Sequence, residues 1–232
     1  MTSYCEIAPG HEWHGPYHDE EYGFPLAGEA ELFERLVLEI NQAGLSWLTI
    51  LKKRDAFRKA YDGFDPAIVA KYGARDRARL LADAGIIRNR LKVDAAIENA
   101  RRLLEIRKTD GGFEAWLAAH HPRSKAEWVK LFKQTFRFTG GEIVGSFLMS
   151  IGYLAGAHDA TCPVYRRIEK QRPAWKQTEK KMGRRRPRGP PESGGRVGPQ
   201  GAGETARHAG KAERGERRKK GRGQGGGGRE ET

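Results

Sequence analysis

The chain has 232 residues, 31% of them charged, a formal net charge of +13 and a mean hydropathy of −0.75. It holds no apolar run long enough to cross a bilayer, and its first thirty residues lack the basic-then-apolar layout of a secretory leader, so a membrane role is not expected. Two cysteines far apart in sequence argue against a disulfide framework and for a reducing, cytoplasmic setting.

The charge is uneven. From Pro173 onward there are 17 Lys+Arg against 7 Asp+Glu and 15 of the 30 glycines, a formal +10, which leaves only +3 for the first 172 residues. This terminal stretch has almost no large apolar side chains to offset the entropy of ordering it, so residues 173–232 are expected to be a disordered Gly/Arg/Lys-rich tail. A solvated extension, loose phosphate contacts and an import signal at "KKMGRRRPR" all fit that composition.

Ahead of the first clear helix stands "CEIAPGHEWHGPYHD", rich in ligating and stacking side chains. In "EAELFERLVLEINQAG", Leu32, Phe33, Leu36, Val37 and Ile40 recur at helical spacing, with Gly44 near the stop. Glu39 lies among these apolar positions near the C-terminal end, where the helix dipole disfavours a negative charge. A second amphipathic helix follows from the cap Ser46 to about Gly63, and "DPAIVAKY" opens a third with Asp65 as cap and Pro66 at its first position. "RDRARLLADAG" and "RNRLKVDAAIENARRLLEIRKTDGG" predict two more, separated at Gly85.

The capping box Ser124–Glu127 starts a helix through Phe132, and Gly140–Gly141 lead into an apolar one from about Glu142 to Leu154. No segment alternates as a strand does, so the fold class is all-α, with a helical domain over residues 1–172.

Each cysteine has a histidine at chelating distance: Cys5 with His18, and His158 with Cys162. Two such half-sites suit one closed, structural Zn²⁺ ion, although two ordinary thiols beside surface histidines fit the same spacing.

The segments "YHDEEYGFP", "LEINQAGLSWLTILKKR", "DAGIIRNR", "FRFTGG" and "GSFLMSIGYLAGAHDATC" together resemble the 3-methyladenine DNA glycosylase I family, in order from Cys5 to about Trp175. The resemblance implies a helix-hairpin-helix DNA glycosylase fold, one structural zinc on Cys5, His18, His158 and Cys162 joining the N-terminal arm to the last helix, and release of 3-methyladenine from alkylated double-stranded DNA by a monomer. It places the pocket carboxylate at Glu39, the base-contacting tyrosine at Tyr17 and the stacking tryptophan at Trp47, with Trp13 or Tyr22 as a further π surface. His14 and Tyr22 depart from the family pattern, which often has a tyrosine and a tryptophan there.

The same resemblance puts a DNA-entering turn at Ala43, Gly44 and Leu45. Thr139, Gly140 and Gly141 offer free N–H groups to a phosphate, and Lys52, Lys53, Arg54, Arg88 and Arg90 can add phosphate contacts. An N3-alkylated adenine is cationic and leaves neutral, so lesion recognition and charge stabilisation by one carboxylate suffice and no strong general acid is required. Asp159 is a weaker rival, better placed to orient His158. The alternatives are a non-catalytic zinc-stabilised DNA-binding module and a glycosylase for another damaged base.

Overall fold

The computed structural model describes residues 3–177. The expected disordered tail lies, from residue 178 on, outside them. All regular structure among the described residues is helical, and no helix is long and apolar enough to cross a membrane.

Two short helices, α1 (Tyr4–Ile7) and α2 (His14–Glu20), form the N-terminal arm, where the sequence shows no helical period. The start of α2 is held unusually: Nδ1 of His11 accepts from the N–H groups of Trp13 and His14, doing the work of a Ser or Asp cap. Helix α3 (Glu29–Gln42) is the axis of the fold. Leu32, Phe33, Leu36, Val37 and Ile40 are buried as the period predicts, but so are Glu34, Arg35, Glu39 and Asn41, because helices surround α3 on all sides.

Helix α4 (Trp47–Ala60) begins at the cap Ser46, whose hydroxyl accepts from the Thr49 N–H, and a 3₁₀ turn (Asp62–Phe64) leads to α5 (Pro66–Val69) with its Asp65 cap. Helices α6 (Ala74–Ala82) and α7 (Arg90–Asp110) follow, the latter ended by Gly111 in the left-handed region at φ 85°. Helix α8 (Phe113–His120), absent from the sequence expectations, brings Phe113 and Trp116 against Phe132 and Phe136 of the next hairpin arm. The capping box does open α9 (Lys125–Thr135).

Helix α10 (Gly141–Ser150) stops four residues short of the expected Leu154. Gly152 turns the chain at φ 76°, and a Cβ there would stand 3.1 Å from the Gly23 carbonyl oxygen and 3.2 Å from Pro173, so only glycine suits both the turn and the close approach just past the helix end. The Gly23 N–H donates to the Ser150 carbonyl at 2.9 Å and ties the arm to this end of α10. After α11 (Pro163–Lys170), contacts with the helical body continue past residue 172: Trp175 is buried and its N–H donates to the Gly152 carbonyl.

The loop between α9 and α10 is pinned by one side chain. Asn99 of α7 is fully buried, accepts from the Arg137 N–H at 2.7 Å and donates to the Arg137 carbonyl at 3.1 Å. Asn99→Ala removes both partners at once and should lower unfolding free energy by about 2–3 kcal/mol in denaturant titration, since each orphaned buried group costs about 1–3 kcal/mol. A loss below about 0.5 kcal/mol would show that water replaces the amide.

Candidate functional site

Five separate elements wall a cavity of about 170 Å³. Tyr4 comes from α1, Tyr17 from α2 with Tyr22 just beyond it, Glu39 and Gln42 from the end of α3, Trp47 from the first residue of α4, and Ser146 from α10. The walls are aromatic: Tyr17 lies 5.1 Å from Trp47 and 5.6 Å from Tyr22, centroid to centroid, and Tyr4 meets Tyr22 edge-on at 5.5 Å.

Glu39 is only 4% exposed, and among the described residues its carboxyl has no hydrogen-bond partner. Burial pushes this carboxyl up from 4.5 to about 7, and the nearby Arg35 charge partly opposes the rise. The buried indole N–H of Trp47 is also unpartnered. A carboxyl costs stability when buried alone, so its place beside the aromatic cavity points to a polar ligand that completes it.

Arg35, which the sequence reading passed over, lies one turn before Glu39. Its Nη1 donates to the Tyr17 hydroxyl at 3.0 Å, its Nη2 donates to Glu21 at 3.0 Å, and its guanidinium carbon stands 4.9 Å above the Tyr17 ring centre. Glu21 also accepts from Arg54, which in turn donates to Glu34. Burial raises the Tyr17 phenol well above its ordinary value, so it is a neutral hydroxyl at any working pH.

Beside the cavity, one ligand atom from each of Cys5, His18, His158 and Cys162 falls within 4.8 Å of the others, a group close enough to hold a metal ion. Nδ1 of His158 lies 3.6 Å from both sulfurs, and Nε2 of His18 lies 3.8 Å from the Cys162 sulfur. The far nitrogens are committed as donors: His158 Nε2–H to the Tyr22 carbonyl and His18 Nδ1–H to the Asp19 carboxylate, both at 2.7 Å. In the neutral rings this leaves the lone pairs facing the thiols.

The expectation that Asp159 orients His158 is therefore corrected. Its place is taken by the Tyr22 carbonyl, while the Asp159 N–H donates to the Cys5 sulfur at 3.4 Å. The Asp159 side chain is exposed and does not reach the cavity, so it is no rival to Glu39.

Other predicted positions divide. Trp13 is half-buried before α2 and does not line the cavity, whereas His14 reaches it indirectly through a 3.0 Å hydrogen bond to the Tyr4 hydroxyl. Gly44, at φ 81°, and Leu45, 38% exposed, form the turn between two cavity residues, Gln42 and Trp47. Lys92 clamps this turn by donating to the Asn41 and Ala43 carbonyls at 2.9 and 2.7 Å.

The space beside Gly140 and Gly141 is open, as close approach of a ligand to their backbone requires. Thr139 instead is buried, with its hydroxyl donating to the Phe132 and Phe136 carbonyls. Lys53 donates to the Ala84 and Gly85 carbonyls, and Arg54 is held by Glu21 and Glu34, so these two cations are engaged within the protein. Lys52, Arg88 and Arg90 are exposed.

Comparison with known proteins fits this geometry. In solved structures the class is that of all-helical DNA glycosylases. A tyrosine-to-phenylalanine variant of 3-methyladenine DNA glycosylase I in complex with 3-methyladenine superposes with a TM-score of 0.64 at 32% identity, over 70% of this chain and 97% of that one. The Staphylococcus aureus 3-methyladenine DNA glycosylase I superposes with a TM-score of 0.63 at 33% identity, over 69% and 95%.

In sequence, the DNA-3-methyladenine glycosylase of Haemophilus influenzae is 34% identical over 182 residues, 70% of this chain and 98% of its own length. DNA-3-methyladenine glycosylase 1 of Escherichia coli is 38% identical over 168 residues, 64% and 89%. With residues 9–128 matching the family pattern as well, the chain belongs to the methyladenine glycosylase family.

The buried carboxyl has a stability signature. A carboxyl whose value is about 7 in the folded chain and 4.5 otherwise binds its proton more tightly when folded, so stability falls as pH rises through this window. Glu39→Gln should therefore raise unfolding free energy at pH 8 by up to roughly 3 kcal/mol and leave it unchanged near pH 4, measured by urea titration at both values. An equal effect at the two pH values would show that the carboxyl is not held neutral by burial.

Proposed function

We infer that the protein acts in base-excision repair, turning 3-methyladenine out of alkylated double-stranded DNA and hydrolysing its N-glycosidic bond. The observation that carries this is Glu39, a buried carboxyl without a protein partner, inside an aromatic cavity of about 170 Å³. That volume is below the roughly 300–1,000 Å³ of drug-sized pockets and suits one flat heterocycle.

A base in the stack is out of reach, so the nucleotide must be extruded at a cost of a few kcal/mol. Leu45 on its turn fills the space left behind, and the extruded base stacks on Trp47 beside Tyr17 and Tyr22. With burial pushing its value up to about 7, Glu39 holds a proton far more readily in the empty site than an ordinary carboxyl does. A cationic base entering beside it favours the anion, so lesion binding itself charges the carboxylate. The ionised group then accepts hydrogen bonds from the edge of the base and stabilises positive charge as the bond to the sugar lengthens.

The base departs neutral, and no lysine nucleophile is needed. Lys92, the buried lysine near this end of α3, has its ammonium committed to two carbonyls. A non-catalytic DNA-binding module is the weaker reading, because a partnerless buried carboxylate facing a polyanion only weakens plain binding.

The ligating group supports a structural Zn²⁺ ion held by Cys5, His18, His158 and Cys162. Bonds of roughly 2.3 Å to sulfur and 2.0–2.1 Å to nitrogen at a tetrahedral angle separate the two ligand atoms by about 3.6 Å. Three of the four sulfur–nitrogen distances here are 3.6, 3.6 and 3.8 Å, and all four ligand atoms lie within 4.8 Å of one another. The ion's chemistry is a cross-link that needs both thiols reduced, in keeping with a cytoplasmic protein. Closure of the site by four protein ligands would leave the ion no part in the reaction.

Chromatography of bases freed from methylated duplex DNA tests the activity: 3-methyladenine should appear. Trp47→Ala should reduce kcat/KM about 10–100-fold, from a stacking contribution of about 1–3 kcal/mol. Release of no base by the wild type would overturn the proposal. For the metal, mass spectrometry under native conditions should find one zinc per chain and none in Cys162→Ala, and chelation should lower the melting temperature of the wild type but not of that variant. Equal melting curves with and without chelator would remove the ion.

A further inference from the structure

One buried charge beside the cavity has no task in base release as described. Arg35 is 2% exposed, and a fixed cation beside a cavity for a cationic base is unfavourable unless something offsets it. Glu21 does so, as the next member of an alternating series in which Arg54 and then Glu34 and Arg58 follow at 2.5–3.0 Å.

The hydrogen bond to Tyr17 has a directional consequence. A phenol has one proton to give and lone pairs to receive. The Arg35 guanidinium can only donate, so it occupies a lone pair of the Tyr17 oxygen. Among the described residues nothing accepts the Tyr17 proton, which is left to the cavity that Tyr17 lines.

We propose that Arg35 is a positioning residue of the base site: it presents the Tyr17 hydroxyl to the cavity as a donor and places a fixed positive charge one helical turn from the Glu39 carboxyl. The proposal rests on the glycosylase reading of this cavity and adds the residue that sets its donor–acceptor pattern. A hydroxyl donor beside a carboxylate acceptor matches the N7 acceptor and N6 amino donor on one edge of adenine, where guanine offers two acceptors.

The charge also sets the acid limit of the reaction. Glu39 is faced by Arg35 on its own helix, by Tyr17 of α2 and by Tyr22 after it. The neighbouring α4, α7 and α10 bring Trp47, Lys92 and Ser146 to this end of α3, and the Lys92 ammonium is tied to the Asn41 and Ala43 carbonyls. Arg35 is thus the cation that opposes the effect of burial on Glu39. Removing it raises the pH at which the carboxylate forms, so the rising limb of activity moves to higher pH.

The test measures 3-methyladenine release from methylated duplex DNA between pH 5 and 9 for the wild type, Arg35→Met and Arg35→Lys, each with and without Tyr17→Phe. Methionine fills similar space without charge, and Glu21 keeps Arg54 as partner, so the surrounding ion pairs survive. In Arg35→Met, kcat/KM at pH 7 should fall about tenfold, the acidic limb should rise by about 1 pH unit, and Tyr17→Phe should cost little more.

Arg35→Lys keeps the charge but not the two-armed geometry, so its limb should stay near that of the wild type while its coupling to Tyr17 weakens. Two outcomes overturn the proposal: an unshifted limb with an undiminished Tyr17→Phe effect in Arg35→Met, or an equal loss at every pH with additive substitutions, as a purely structural role gives. Should Arg35→Met not fold, Arg35→Lys decides, and full coupling to Tyr17 there overturns it. A wild type that frees no base fails the glycosylase reading itself and takes this proposal with it.

Discussion

A helix surrounded on every side must bring its ionisable groups indoors, and α3 carries Glu34, Arg35 and Glu39 into the interior. Buried charges persist when each has a counter-charge, and here they form a row of alternating sign from Arg35 through Glu21 and Arg54 to Glu34 and Arg58. Glu39 stands at the inner end of that row with no hydrogen bond of its own. The rest of the site follows from it, since aromatic walls keep water away from the carboxyl and so raise its proton affinity.

The Cys/His group close enough to hold a metal ion and the cavity are built from the same short stretches of chain. Tyr4 precedes Cys5, Tyr17 precedes His18, and the Tyr22 carbonyl receives the proton of His158. Three of the cavity walls are thus each within one peptide unit or one hydrogen bond of a ligating residue. The histidine and aromatic content of an arm without helical periodicity fits this arrangement: its two short helices have almost no core of their own, and their side chains wall the cavity and gather beside the two cysteines.

Much of this was legible in the residues. The apolar period of α3 and the caps of α4, α5 and α9 are local features, and each marks its helix where the structure has it. What escaped was short or non-local. α8 and α11 have eight residues each, too few to establish a period, and the start of α2 is capped by the ring of His11, three residues before its first residue, His14. Glu39 was conspicuous because a carboxylate interrupts an apolar face. Tyr4, Gln42 and Ser146 carry no such mark and become neighbours only through tertiary packing. Arg35 left one usable trace, its position four residues before Glu39, which places the two on one side of the same helix.

The turn between Gln42 and Trp47 is braced from within by the Lys92 ammonium on two carbonyls, by the Gln42 amide donating to the Leu45 carbonyl, and by the Ser46 cap of the following helix. A loop so braced is a stiff probe. On the proposed reading, in which this turn enters a duplex, the double helix is the partner that yields, and a site where base pairing is already weakened by damage yields first, so mechanical compliance of the DNA becomes a filter that acts before any hydrogen bond to the base is made.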